Sequence, residues 1–203
     1  MNFTKQMNKV IYEKYLKYPA LAIGEQNIDD NGNITFIDLK HSDWELDLNK
    51  LTSLDWLKNH FSNKNYFKHI RIGELLEHLE YDAELLKICR DFLDDAGTLL
   101  ITVPYYGIAP YHLRLHNKWS ITQLLNYAGF EIKEYIPRKA PKFDRLIFFI
   151  RNILSIIGIP KTLTNDIFIR LNKYLPIKPN GGYFICTKGN FLPLTEINKK
   201  EFT

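Results

Sequence analysis

With 203 residues, 45% of them hydrophobic and 14% aromatic, the chain has enough apolar material for one ordinary domain with a sizeable core, which excludes disorder as the default reading. A net charge of +4 is too small by itself to imply a nucleic-acid partner, and none is expected. The charge is uneven, however: Lys133 to Lys188 carry 11 Lys or Arg against 3 Asp or Glu, a balance of +8, in the part that also holds the longest apolar stretch. The two cysteines, Cys89 and Cys186, have neither CxxC nor histidine spacing, so no metal site and no disulfide framework is expected. That points to a reducing, cytoplasmic setting. Met1 to Tyr18 is polar and Lys-rich without an apolar h-region, so no signal peptide is read there.

In chain order, Asn2 to Tyr18 reads as a short amphipathic helix, with Phe3, Met7, Val10, Ile11 and Leu16 near helical spacing. Pro19 ends it. Ala20 to Ile23 is a short apolar strand closed by Gly24. After the polar turn Glu25 to Gly32, Ile34 to Leu39 forms a second strand with Asp38 near its carboxyl end. Trp44 to Leu48, carrying Asp47, fits a third strand, and Leu51 to Phe61 a weak helix or loop. Tyr66 to Ile72 is the next strand, broken at Gly73.

A helical pattern follows through Leu75, Leu76, Leu79, Leu85, Leu86, Ile88, Cys89 and Phe92. It stops at a polar turn, Asp94 to Gly97, after which Thr98 to Val103 is an apolar, β-branched strand closed by Pro104. Strand, helix, turn and strand make one βα unit of a parallel sheet. Tyr105 to Asn117 is a loop rich in Tyr and His. Ser120 can cap a helix running to Ala128, and Gly129 suits the C′ position behind it. Phe130 to Ile136 reads as a strand and Pro137 to Lys142 as a basic linker. Phe143 to Leu175 reads as two helices broken at Gly158-Ile159-Pro160, and Gly181-Gly182 precede a last strand, Tyr183 to Lys188. The alternation predicts an open α/β sheet.

Several pieces then fall in one order. Leu21-Ala22-Ile23-Gly24, Ile37-Asp38-Leu39, Leu46-Asp47-Leu48, Leu75-Leu76-Glu77-His78-Leu79 and Ile101-Thr102-Val103-Pro104 are followed by His112, Arg114, Trp119-Ser120 and Ala128-Gly129-Phe130. From about Leu21 to Ile136, with Tyr183 to Lys188 as closing strand, the chain resembles the class I S-adenosylmethionine (SAM) dependent methyltransferases, type 11-like. The resemblance implies a Rossmann-like, open, mostly parallel sheet in a single domain over 1–203. The core would be 19–136 and 181–189, with 137–180 a basic and apolar helical insertion before the last strand. It also implies SAM as cofactor, with Gly24, Asp38, Leu39, Asp47, Leu48 and Gly73 on the cofactor side and Asp38 on the ribose hydroxyls. Glu77, Tyr105 and Tyr106 would line the acceptor side. One departure is plain: Gly24 is followed by Glu25-Gln26-Asn27 instead of Gly-x-Gly, and 13 residues separate it from Asp38. That implies a shortened first βα unit with a degenerate glycine-rich motif.

The residues themselves leave alternatives open. Gly24 is a cofactor-approach glycine or a strand-ending turn residue, and Asp38 a ribose ligand or a solvated strand-end acid. Asp47 is an adenine-side residue or a turn acid, and Glu77 with His78 a rim pair or a helix-start acid beside an exposed histidine. His78 or His112 is the candidate catalytic base for a hydroxyl acceptor, because an imidazole titrates near working pH. The stretch 143–159 is too short and too charged to span a membrane. It reads as a lid or homodimer contact, or as a peripheral membrane-surface helix whose arginines and lysines meet anionic headgroups. The expected activity is methyl transfer to a small-molecule, sugar or lipid-linked glycan acceptor; the alternative is an inactive methyltransferase-like domain serving as a partner subunit.

Overall fold

The computed structural model describes residues 3–24, 34–39, 43–61, 66–105, 112–139, 153–154, 159–160, 163, 167, 169–170, 174 and 178–190. Their elements are α1 (Phe3–Tyr15), β1 (Ala20–Ile23), β2 (Ile34–Asp38), β3 (Trp44–Glu45), α2 (Leu51–His60), β4 (Phe67–Gly73), a 3-10 turn (Leu76–His78), α3 (Asp82–Phe92), β5 (Leu93–Pro104), α4 (Lys118–Tyr127), β6 (Phe130–Arg138) and β7 (Gly181–Lys188). The seven strands form one sheet in the order β3-β2-β1-β4-β5-β7-β6. β3 to β5 are parallel neighbours, and β7 lies antiparallel to both β5 and β6. This is the open, mostly parallel α/β sheet that the sequence predicts.

Strand alternation divides the core into two faces. On one, Met7, Val10 and Ile11 of α1 pack with Leu100, Ile136, Tyr183 and Ile185, while Leu16 packs on Ala20, Ala22, Ile34 and Phe36. On the other, Leu54 and Leu57 of α2, Leu85, Leu86 and Phe92 of α3, and Ile121 and Leu125 of α4 cover Leu21, Ile23, Ile37, Ile70, Ile72, Leu99 and Ile101. Each such Leu, Ile or Phe contributes about 1.5–3 kcal/mol on full burial. Three layers result, with both sheet faces covered.

Several predicted boundaries change. The Leu75 to Phe92 pattern is two pieces, because the i, i+3 spacing of Leu76 and Leu79 suits a 3-10 turn as well as an α-helix, and α3 begins at Asp82. Asp94 to Gly97 is no terminating turn but lies inside β5: Phe67 pairs with Leu93 and His69 with Thr98, so these four residues bulge opposite Lys68 alone. The Asp94 carboxylate accepts the Ala96 N–H (2.8 Å) and holds that bulge. Leu51 to His60 is a helix, and the third strand shrinks to Trp44–Glu45. Asn117, not Ser120, caps α4; Ser120 is the N3 partner of the capping box, and its N–H donates to the Asn117 side chain (2.9 Å). Gly129 has φ +81, as a C′ glycine should. β6 runs on to Arg138, at the start of the predicted linker, and Gly181-Gly182 belong to β7, because the two segments pair with each other. Pro137 is tolerated there since β6 is an edge strand. Glu25 to Gly32, Tyr106 and most of 143–159 lie outside the described residues. No helix among the described residues is long and apolar enough to cross a membrane.

His69 sits fully buried in β4, and neither ring nitrogen has a hydrogen-bond partner. Burial, with Arg71 and Lys17 adding to it, pushes its pKa down to about 3. The unfolded chain therefore takes up this proton first, near pH 6.5, and the stability that a neutral His69 supplies is lost as pH falls from there toward 3. At about 1.4 kcal/mol per pH unit, the loss is about 2 kcal/mol between pH 6.5 and pH 5. Denaturant unfolding at the two pH values is expected to show this extra loss in the wild type and not in His69→Leu; equal losses would remove His69 as the cause.

Candidate functional site

A parallel sheet sends all its carboxyl ends to one edge, and a cleft opens where successive connections depart in opposite directions. Here that point lies between β1 and β4, since the chain leaves β1 toward β2 and leaves β4 toward β5. Ile23 is level with Ile37 on one side and Ile72 on the other, and Ile72 with Ile101. The next residues at that edge are Gly24, Asp38, Gly73 and Thr102, so three of the cofactor-side residues named from sequence end adjacent strands.

Gly24 is required there for two reasons. Its φ is +76, and a Cβ would stand 2.8 Å from the Leu75 Cβ. Its N–H continues the ladder to the Ile37 carbonyl (2.8 Å). The close approach that this glycine permits is thus made by Leu75 of the same chain. Asp38 is half-buried and its carboxylate accepts the Leu39 N–H (2.7 Å), while the Leu39 side chain is exposed. Asp47 lies beyond β3; it accepts the Asn49 N–H (3.1 Å) and pairs with Lys50 (3.5 Å), the arrangement of a turn acid. Leu48 is buried in the core.

Beyond Gly73 the backbone turns sharply. Glu74 takes a left-handed conformation, φ +46, at a cost of about 1–3 kcal/mol for a side-chain-bearing residue. Its N–H bonds to the Thr102 carbonyl (3.0 Å), and its carboxylate is ion-paired with Arg138. That turn delivers Leu75 onto Gly24 and sets up the 3-10 turn holding Glu77 and His78. Three contacts fix this turn from outside. The Asn49 side-chain amide donates to the His78 carbonyl (2.9 Å) and accepts the Glu80 N–H (2.9 Å). The N–H groups of Leu113 and Arg114 both donate to the Glu77 carbonyl (2.8 and 3.2 Å). The Arg114 guanidinium, ion-paired with the buried Asp82, also donates to the Glu80 carbonyl (2.9 Å).

Consequently Glu77, His78 and His112 meet. The two imidazoles are 4.7 Å apart edge to face, and His78 Nε2 is 3.9 Å from a Glu77 carboxylate oxygen. Glu77 is buried, and burial is the foremost cause that raises its carboxyl above the usual range, Glu74 adding to it and the two histidines opposing. His116 is buried nearby; burial lowers its imidazole against the opposing pull of Asp82 and the Leu76 backbone. Tyr105 is different. It belongs to the core, with its hydroxyl donating to Tyr135 (3.1 Å), and Tyr106 lies outside the described residues. Asn49 and Arg114 escape sequence reasoning as positioning residues, because what they bind is backbone some thirty residues away and no spacing rule signals it.

No protein-family model matches the sequence, and no curated protein does. Solved structures do match in fold. A SAM dependent methyltransferase from Archaeoglobus fulgidus is 17% identical, with a TM-score of 0.56 over 91% of this chain and 92% of that one. Phosphoethanolamine N-methyltransferase 2 of Haemonchus contortus, in complex with S-adenosyl-L-methionine, is 15% identical with a TM-score of 0.50, over 92% of this chain and 53% of that one. The 1,6-didemethyltoxoflavin-N1-methyltransferase of Burkholderia thailandensis, with S-adenosylhomocysteine bound, is 10% identical with a TM-score of 0.50, over 93% and 79%. At these identities the likeness is one of fold. The chain has the class I methyltransferase fold.

Gly24→Ala is expected to lower stability by about 1–3 kcal/mol, since the new methyl group meets both a left-handed φ and Leu75. Urea unfolding measures it. A change below about 0.5 kcal/mol, the range of neutral surface substitutions, would show that neither constraint holds.

Proposed function

We propose that the chain is a SAM-dependent methyltransferase that methylates a small molecule. The observation that carries this reading is the convergence, at one sheet edge of the class I methyltransferase fold, of a strand-end carboxylate and an acid–imidazole cluster. Asp38 at the end of β2 has the acceptor oxygens that two vicinal ribose hydroxyls need, with Gly24 and Gly73 ending the strands beside it. Bound there, the cofactor would supply a sulfonium-activated methyl group. Transfer forms the acceptor–carbon bond as the sulfur–carbon bond breaks, so in-line alignment supplies most of the rate. For a hydroxyl acceptor, His78 or His112 takes the released proton. The finer reading is a sugar or lipid-linked glycan acceptor met at a membrane surface. The excess basic charge and apolar runs of 133–188 support it, and the same segment offers a homodimer contact as the alternative.

A second reading has its own observation. The space beside Gly24 is filled by Leu75, and Glu25-Gln26-Asn27 stand where a Gly-x-Gly cradle would lie, which favours a methyltransferase-like domain that has become a partner subunit. Calorimetry with SAM and S-adenosylhomocysteine separates the two. The enzyme reading expects binding, weakened roughly 10–100-fold in Asp38→Ala with melting temperature unchanged, because hydrogen bonds to a charged group contribute about 1.5–3 kcal/mol. Absence of binding at millimolar ligand would leave the partner-subunit reading.

A further inference from the structure

We propose that Glu77, His78 and His112 form a binding site for a divalent transition-metal ion of the zinc type. One ligand atom from each residue lies within 4.8 Å of the other two. Metal–nitrogen and metal–oxygen bonds of roughly 2.0–2.2 Å require ligand atoms a little over ~3 Å apart, so small side-chain rotations close the set.

Burial gives an independent reason. Glu77 and Asp82 are the two buried acids among the described residues. Asp82 is matched by the Arg114 guanidinium and by the Ala83 N–H (2.7 Å). The Glu77 carboxylate is 3% exposed, its Oε2 has no hydrogen-bond partner, and no arginine or lysine pairs with it among the described residues. A buried carboxylate needs a counter-charge or a proton; Glu74, itself an acid, supplies neither, and the imidazoles of His78 and His112, which are metal ligands, lie beside it. The surrounding contacts also do what an outer ligand shell does. Asn49 grips the His78 carbonyl, while Leu113 and Arg114 hold the Glu77 carbonyl and so set His112, one residue upstream, against His78.

Two imidazoles and one carboxylate suit zinc, cobalt and their neighbours better than magnesium or calcium, and three protein ligands leave positions open. The expectation of no metal site rested on cysteine spacing; Cys89 and Cys186 are buried in the core, and this cluster uses neither. An open position beside the proposed acceptor side would bind an acceptor hydroxyl and lower its pKa. That last role depends on the methyltransferase reading; the metal site does not.

The test uses the full chain stripped with a chelator, titrated with Zn²⁺ in the calorimeter and with Co²⁺ followed by visible absorption. One tight equivalent is expected, with cobalt d–d bands typical of nitrogen and oxygen ligands. Loss of one ligand should cost more than the 10–100-fold of an outer-shell change, so His78→Ala, His112→Ala and Glu77→Gln are each expected to weaken binding by about 100-fold or more. His60→Ala, whose ring stacks on Trp56, should bind as the wild type does. His112→Asn on the half-buried loop guards against a misfolded variant. Absence of Zn²⁺ and Co²⁺ binding, or undiminished binding in both histidine variants, overturns the site. A separate SAM titration distinguishes the two ideas: metal without SAM sinks only the transferase reading, SAM without metal only this one.

Discussion

A sheet covered on both faces leaves chemistry nowhere to go but the ends of its strands. The central strands β1, β4 and β5 run parallel between α1 on one face and α2, α3 and α4 on the other, and the side chains of β1, of β4 but for Lys68, and of Leu99 to Val103 in β5 are buried. Polar groups that intrude into those faces, such as His69 and Arg71, are costly and are held neutral or laid against rings: the Arg71 guanidinium sits 4.7 Å over Tyr12. The carboxyl edge has no such restriction. The proposed cofactor-side residues follow from this, because register across β2, β1 and β4 brings Asp38, Gly24 and Gly73 to one level.

Within that edge, the Glu77, His78 and His112 cluster is organised through hydrogen bonds to backbone groups. The Glu77 carbonyl receives two N–H groups from the 113–114 backbone, and Asn49 bridges two backbone groups on either side of Leu79. Two segments far apart in sequence are thereby held against one short turn. The left-handed Glu74 is the cost of that arrangement, and it is kept in place by its ladder bond to Thr102 and its ion pair with Arg138.

What sequence reading recovers, and what it misses, follows the range of the forces involved. Period-2 and period-3.6 patterns are local, so the seven strands and the helices α1, α3 and α4 are legible, with shifted ends; the largest shift is the start of α3, from Leu75 to Asp82, and Leu51 to Phe61 reads only as a weak helix or loop. Asp94 to Gly97 looked like a turn because a bulge has the same composition; only the partner strand tells them apart. Asn117 was overlooked as the α4 cap because Asn and Ser both suit that role and the capping box uses both. The strand-end positions of Asp38, Gly24 and Gly73 are legible too, because each closes a local apolar run. The resemblance puts Tyr105 on the acceptor side, whereas its hydroxyl serves Tyr135 in the core. The joining of His112 to Glu77 and His78 depends on contacts across more than thirty residues, beyond the reach of any spacing rule.

The paired glycines at the start of β7 carry a further consequence. A Cβ on Gly181 would collide with the Arg138 Nε at 2.7 Å, and one on Gly182 with the Tyr105 hydroxyl at 2.6 Å. Arg138 pairs in register with Gly181, its carbonyl accepts the Asn180 N–H (2.9 Å), and its guanidinium reaches Glu74. The chain therefore leaves the sheet after Arg138 and returns to it at Gly181 side by side, at one clasped stem. Because the stem brings the two ends together, the entropic cost of the interval between them grows only logarithmically with the number of residues it holds. Length there is cheap to change, whereas Ile169, from the same interval, is buried with Met7, Val10 and Ile11 of α1, so a substitution at that position reaches the core.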